Sequence, residues 1–175
     1  MRVALSGTPG TGKTSVGEAL AKRGWTVREV NRLAEEKGLI GRRDRRRSTR
    51  EVDISALDKA VSEDEGLKDA ILVGHLSHHL TVDLIIVLRC RPSVLATRLG
   101  GRGYSEDKVN ENVEAEALDV ILIEAVETDR RVLEVDTTSK DVPEVVAAME
   151  EILAGERKKY AIGHIDWSEE VLGWF

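Results

Sequence analysis

Residues 7–14, Gly7-Thr-Pro-Gly-Thr-Gly-Lys-Thr14, constrain this chain more than any other stretch. An apolar run from Arg2 to Ser6 precedes them and an amphipathic stretch from Lys13 to Arg23 follows, so the pattern G-x-x-x-x-G-K-T leaves a predicted strand and opens a predicted helix. Gly7, Gly10 and Gly12 let successive backbone N–H groups turn onto an anionic oxygen, at φ values that a Cβ would forbid. The helix N-terminus beyond them adds its partial positive charge. In such a loop Lys13 reaches the β and γ phosphates of a nucleoside triphosphate, Thr14 offers its hydroxyl to Mg²⁺, and Ser15 continues the donor set. The plainer alternative is a Gly-rich turn that only caps a helix, and the complete pattern in this strand–helix context argues against it.

The rest of the chain alternates short apolar runs with amphipathic stretches, the pattern of a parallel sheet wrapped by helices. Five strands are expected: Arg2 to Ser6, Trp25 to Arg28, Ala70 to Val73, Leu84 to Arg89 and Arg131 to Val135. The third and fourth are continuous apolar runs, as strands buried on both faces require. Helices are expected from Lys13 to Arg23, from a capping Asn31 to Lys37, after a weak capping box at Ser55-Ala-Leu-Asp58, and from Pro92 to Leu99. Nothing between Ser105 and Thr128 breaks a helix, and Asp141 with Pro143 opens another that ends near Ala154. The final segment, with Trp167, Trp174 and Phe175, is expected to dock on the body or on a partner.

With 175 residues, of which 41% are hydrophobic and 33% charged, the chain suits one α/β domain spanning residues 1–175. Cys90 is the single cysteine, so no intrachain disulfide forms. No apolar run approaches the ~18 residues of a membrane span, and Met1-Arg2-Val-Ala-Leu-Ser6 lacks a signal-peptide pattern, which points to a cytoplasmic protein without a membrane partner, most simply a monomer. A net charge of −6 argues against a surface wholly devoted to nucleic acid. Between Arg42 and Arg50, however, six arginines stand with one acid among them.

A phosphate-binding loop in a domain of this size leaves three classes: a small-molecule or nucleotide kinase, a GTPase, or an ATPase that works on a partner. A GTPase needs an Asn-Lys-x-Asp guanine reader, and the sequence has none. A kinase needs a second anion site facing the γ-phosphate and mobile cations to neutralise the transferring group. Arg42, Arg43, Arg45, Arg46, Arg47 and Arg50 lie between the second and third strands, and arginine's planar fork suits an acceptor phosphate. A solvated basic loop or an RNA contact stays open, because one monophosphate cannot use six arginines. Arg98 and Arg102 flank Gly100 and Gly101, as in a short hinged lid that swings arginine onto a triphosphate. His75, His78 and His79 follow the third strand; they are too close together for one fixed zinc site without further ligands, so His75, and then His78, is read as a hydrogen-bonding or proton-relaying group near the γ-phosphate. Asn112, Glu116 and Glu124 share one face of the long helix and either line an acceptor pocket or face water.

Taken with Leu33-Ala-Glu-Glu-Lys-Gly38, Val52-Asp53, Gly74-His75-Leu-Ser-His78, Ile85 to Arg89, Arg102-Gly-Tyr-Ser-Glu-Asp-Lys108, Asn112 with Glu116, and Asp136-Thr-Thr138, these pieces resemble the adenylate kinase isoenzyme 6 family, especially its archaeal members. Those are small P-loop proteins described as nucleotide kinases and as ATPases of small-ribosomal-subunit maturation. The resemblance implies the three-layer P-loop NTPase fold: a five-stranded parallel sheet with helices on both faces, a monophosphate-binding insertion at residues 30–53 and a short lid at residues 99–109. It implies that Gly10, Gly12, Lys13, Thr14, Ser15 and Arg102 hold ATP with Mg²⁺ on Thr14, that Lys13, Arg102 and His75 are catalytic, and that the Asp136-Thr-Thr138 turn lies by the adenine. It also implies an acid two residues before the functional histidine. Val73 stands there instead, leaving the metal to Thr14, the nucleotide and an acid from elsewhere. The expected activity is transfer of the ATP γ-phosphoryl to AMP, with ATPase activity alongside. The alternative is an ATP-driven assembly factor that binds a small-subunit ribosomal protein or rRNA, its kinase activity incidental.

Overall fold

The computed structural model describes residues 1–44 and 49–174, with the backbone alone for residues 42–44 and 49–51. Five parallel strands form the central sheet: β1 (Val3–Gly7), β2 (Val27–Glu29), β5 (Ile71–Val73), β6 (Leu84–Arg89) and β7 (Arg131–Asp136), in the order β2-β5-β1-β6-β7. Period-2 alternation sends their side chains to two separate cores. Val3, Leu5, Ile71, Val73, Leu84, Ile86, Leu88, Leu133 and Val135 pack under α1 (Lys13–Lys22) and α7 (Val142–Leu153). Ala4, Leu72, Ile85 and Val87 face α2 (Val30–Glu36), α3 (Ile54–Ser62) and α6 (Val120–Val126). The chain thus has the three-layer P-loop NTPase fold, and the continuous apolar runs are explained by burial on both faces. Because the chain leaves β1 through α1 for β2 on one side, and later crosses from β5 to β6 on the other side of β1, a crevice opens at the carboxyl end of β1. The loop of residues 7–14 sits there.

Four local expectations are corrected. The segment between α2 and α3 contains an antiparallel hairpin, β3 (Ile40–Asp44) with β4 (Thr49–Val52); its arginine-rich sequence carries no strand signal. The chain enters α2 at Val30, one residue before the expected Asn31 cap, because fully buried Val30 seats that turn in the core. The cap of α3 is Asp53, whose carboxylate accepts from the Ala56 N–H at 2.9 Å, and Ser55 lies inside the helix. The helix expected from Ser105 to Thr128 is two: α5 (Glu106–Ala117) and α6 part at Asp119, which adopts a left-handed φ of 54° and pairs with Arg89. That break lets α6 turn Ile121, Leu122 and Ala125 onto the sheet, while α5 packs on α4 (Pro92–Gly100).

By contrast, Asp141 and Glu144 form the complete capping box that opens α7. The final segment docks on the body through buried Trp167, and the N–H groups of Gly163 and His164 donate to buried Glu134 at 2.9 and 3.2 Å. A short helix, α8 (Ser168–Leu172), follows; Trp174 is largely exposed, and Phe175 lies outside the described residues. Among the described residues no helix is long and apolar enough to cross a membrane.

Candidate active site

At the end of β1, Gly7 and Gly10 have φ of 135° and 95°. A Cβ on Gly7 would collide with the Leu88 carbonyl oxygen, and one on Gly10 would meet Leu95 and Leu99 of α4 at 2.7 and 2.9 Å. Both conformation and space therefore demand glycine, and the loop is pressed against β6 and α4. Behind it, the Thr8 hydroxyl donates to Glu116 of α5. The buried Thr137 hydroxyl lies 3.1 Å from the Thr11 carbonyl and 2.9 Å from that of Arg89, and accepts from Arg98 Nη1 at 3.2 Å. The loop is thus held from two sides before any ligand enters, which removes reorganisation cost from binding.

Lys13 begins α1 with its side chain folded back over the loop, Nζ donating to the Gly7 and Thr8 carbonyls at 2.6 and 2.9 Å. Burial pushes its pKa down to about 7, an effect that Glu116 opposes and Arg102 reinforces. Gly10, Gly12, Lys13, Thr14, Ser15, His75 and Arg102 all line one open cavity of about 290 Å³, with Glu29, Asn31, Val73 and Tyr104. The phosphate-loop residues, His75 and Arg102 are therefore brought to one place, whereas Arg98 and the Asp136-Thr-Thr138 turn lie outside this cavity. A second cavity, of about 260 Å³, shares Gly10, Gly12, Ser15 and Arg102 and continues to Arg98, Thr137 and Lys140. The turn after β7 thus lies beside the loop. Arg98 is committed to that turn, with Nη2 donating to the Thr137 carbonyl at 2.6 Å, so of the arginine pair it is Arg102 that faces Lys13.

His75 is held below its ordinary pKa by burial and by the Lys13 ammonium, and so stands as a neutral imidazole at pH 7. His78 does a different job. It is buried behind the cavity, with Nδ1 2.8 Å from Ser6 Oγ and Nε2 3.0 Å from Glu124, and burial lowers its pKa to about 4. A neutral ring with both nitrogens engaged pins the loop that carries His75 to β1 and α6. The ligand atoms of His78, His79 and Glu124 lie within 4.8 Å of one another, but His75 is not among them.

The acidic and amide residues expected on one helix face separate at the Asp119 break. Asn112 and Glu116 are buried on α5, whereas Glu124 sits on α6. Glu116 neither lines the cavity nor faces water. It accepts from Thr8, from Arg89 Nε at 2.9 Å, from the Cys90 N–H at 3.1 Å and from Trp167 Nε1 at 3.3 Å. Burial opposes the Arg89 charge, but Glu116, Asp119 and Glu134 overcome that and raise its pKa. The signal in the sequence was Arg89 itself, a charge closing an apolar strand, which needs buried acid partners. Buried Cys90 is held as an inert thiol, its pKa pushed up to about 11 chiefly by burial. The side chains of Arg42, Arg43, Arg45, Arg46, Arg47 and Arg50 lie outside the described residues.

The family model described as "AAA domain" matches residues 3–119. A protein of Archaeoglobus fulgidus named "Putative adenylate kinase" is 48% identical over 174 residues, 98% of this chain and 94% of its own. Proteins of the same name from Thermococcus onnurineus and Natronomonas pharaonis are 46% and 43% identical, covering 97% and 98% of this chain and 93% and 100% of their own. Among solved structures, a deoxyadenosine kinase from M. mycoides matches with a TM-score of 0.58 at 17% identity over 88% of this chain and 99% of its own. A shikimate kinase from Bacteroides thetaiotaomicron matches with a TM-score of 0.55 at 16% identity over 88% of this chain and 98% of its own. At those identities the likeness is one of fold. Matched by the domain model over well over half its length and by the archaeal chains from end to end, this protein belongs to the AAA-domain P-loop family, together with those archaeal relatives.

Proposed function

We propose that this protein is a nucleoside monophosphate kinase of the adenylate kinase type, moving the γ-phosphoryl of ATP to AMP. The observation that carries this reading is the single cavity that gathers Lys13, Thr14, His75 and Arg102 above a pre-formed anion loop. The name shared by the archaeal relatives supports it. Phosphoryl transfer needs positioned cations more than a covalent nucleophile, and this cavity supplies two cations beside a neutral imidazole. In this reading Gly10, Gly12 and Ser15 donate backbone N–H groups to the phosphates, while Lys13 Nζ leaves the Gly7 and Thr8 carbonyls for the β and γ oxygens. Arg102, carried by the lid at residues 99–109, closes over the γ-phosphate, and His75 hydrogen-bonds there without adding charge. Residues 30–53 take the acceptor, with Arg42 to Arg50 as the source of its phosphate clamp. Mg²⁺ fits the donor set: the Thr14 hydroxyl and Glu29 carboxylate are hard oxygens in the same cavity. Thr14 would hold the ion, which when bound neutralises phosphate charge.

The test is ADP production by purified protein with Mg·ATP and no acceptor, AMP, CMP or GMP. AMP is expected to raise the rate at least about tenfold over the acceptor-free rate, since water is poorly positioned where an acceptor should sit. Equal rates with and without AMP would overturn the kinase reading.

A proton balance follows from Lys13. The free site holds it about half protonated near pH 7, whereas a bound triphosphate demands the ammonium. At pH 8 ATP binding is therefore expected to take up nearly one proton, and affinity is expected to weaken as pH rises above about 7. Titration calorimetry in buffers of different ionisation enthalpy measures this. No uptake at pH 8 would mean that Lys13 is already fully charged.

The surplus of arginines between Arg42 and Arg50, and the apolar Val73, support a second reading: an ATP-driven assembly factor for the small ribosomal subunit that binds a ribosomal protein or rRNA. Retention on small subunits that differs between ATP and ADP would support it, and no retention in either state would count against it.

A further inference from the structure

Glu29 ends β2, and its register partner on β5 is Val73, the position where an acid was expected and an apolar side chain stands. A carboxylate is therefore present at the same level of the sheet, one strand further out. By position Glu29 is the N-cap of α2, yet its side chain makes no capping hydrogen bond. It is turned instead toward the phosphate loop, where Thr14 Oγ1 lies 3.4 Å from its Oε1. It lines the same cavity as Lys13, His75 and Arg102. Among the described residues no lysine or arginine is paired with it, whereas neighbouring Arg28 is engaged by Glu36. An exposed carboxylate with neither a cap nor an ion pair to serve, facing the hydroxyl assigned to the metal, is free to accept hydrogen bonds from metal-bound water.

Resting on the kinase reading for the presence of Mg·ATP, we propose that Glu29 is the carboxylate that anchors the water shell of the divalent cation accompanying the nucleotide, replacing the acid that Val73 lacks. Mg²⁺ gives up its water reluctantly and is commonly held through one or two carboxylates together with substrate phosphates. An oxygen set of Thr14, Glu29 and the nucleotide meets that description; the methyl groups of Val73 cannot.

The experiment measures ATP affinity by calorimetry with Mg²⁺ and with EDTA, for the wild-type chain, Glu29→Gln and Glu29→Gln/Val73→Asp. Loss of an outer-shell partner commonly weakens metal sites about 10- to 100-fold, so Glu29→Gln is expected to cut the Mg²⁺-dependent gain in ATP affinity about tenfold or more. Affinity in EDTA should be unchanged or tighter, because a negative charge near the phosphates has gone. Val73→Asp should recover part of the gain. Broadening of the Mn²⁺ electron paramagnetic resonance signal on the ATP complex gives a second readout that needs no turnover. An unchanged Mg²⁺ gain in Glu29→Gln, or an equal loss with and without metal, would overturn the proposal. Neither readout needs an acceptor, so a chain that binds Mg·ATP through Glu29 but fails to phosphorylate AMP would refute the kinase reading and leave this inference standing.

Discussion

Lys13→Ala is expected to lower phosphoryl transfer about 100- to 1,000-fold, the usual cost of removing one donor aimed at developing charge, while the Tm moves by no more than a few degrees. The asymmetry follows from how Lys13 is held. Its ammonium is buried and donates to two backbone carbonyls, yet burial holds its pKa down to about 7, so the cost of desolvating the charge outweighs what those contacts contribute. Removing it deletes a charge that burial disfavours and leaves carbonyls that water can reach through the open cavity. The transferring phosphoryl group has no such substitute. Steady-state kinetics and thermal unfolding on the same sample check both halves. A large drop in Tm would mean that the lysine serves the fold, and a loss below about tenfold would mean that Arg102 carries the charge alone.

Glu116→Ala is expected to do the reverse, destabilising the protein by about 3 kcal/mol or more and lowering the Tm by roughly 6–12 °C. Glu116 is almost fully buried and accepts from Thr8, Arg89, the Cys90 amide and Trp167. Truncation orphans donors from the phosphate loop, β6 and the C-terminal segment together, and an unmet buried donor costs about 1–3 kcal/mol. Arg89 retains Glu134 at 3.0 Å and Asp119, so the guanidinium is not left wholly unpaired and the loss stays finite. Glu116→Gln keeps an acceptor for the three N–H donors and is expected to recover about half of the loss. A second effect reaches the cavity: Glu116 supports the charge on Lys13, so its removal should weaken ATP binding most above pH 7. Chemical denaturation of the two variants decides the matter. A Tm within 2 °C of wild type for Glu116→Ala would show that the network adds nothing to the fold.

The parts of the molecule that were legible in the sequence are those governed by local rules. Three glycines with Lys13 and Thr14 specify the anion loop wherever a strand feeds a helix, and the apolar runs Ile71–Val73 and Leu84–Arg89 declare strands buried on both faces. What escaped reading depends on partners distant in the chain. Asp119 takes a left-handed φ in the middle of a helical pattern because Arg89, thirty residues earlier, pairs with its carboxylate. The helical spacing of Glu116 points to an acceptor pocket or to water, and only the convergence of β6, α5 and Trp167 makes it a hub. Glu29 falls just past the strand expected from Trp25 to Arg28, and only the β2–β5 register sets it beside Val73. The β3–β4 hairpin is built from a basic run with no alternation to betray it.

The fate of the label in ATP carrying a radioactive γ-phosphoryl group, followed in the presence of Mg²⁺ and AMP, separates transfer from hydrolysis. Transfer to AMP moves the label into the β-phosphate of the ADP formed from it, and this product should vanish in Lys13→Ala. Label released as inorganic phosphate at a rate indifferent to AMP, with none in ADP, would overturn the kinase reading.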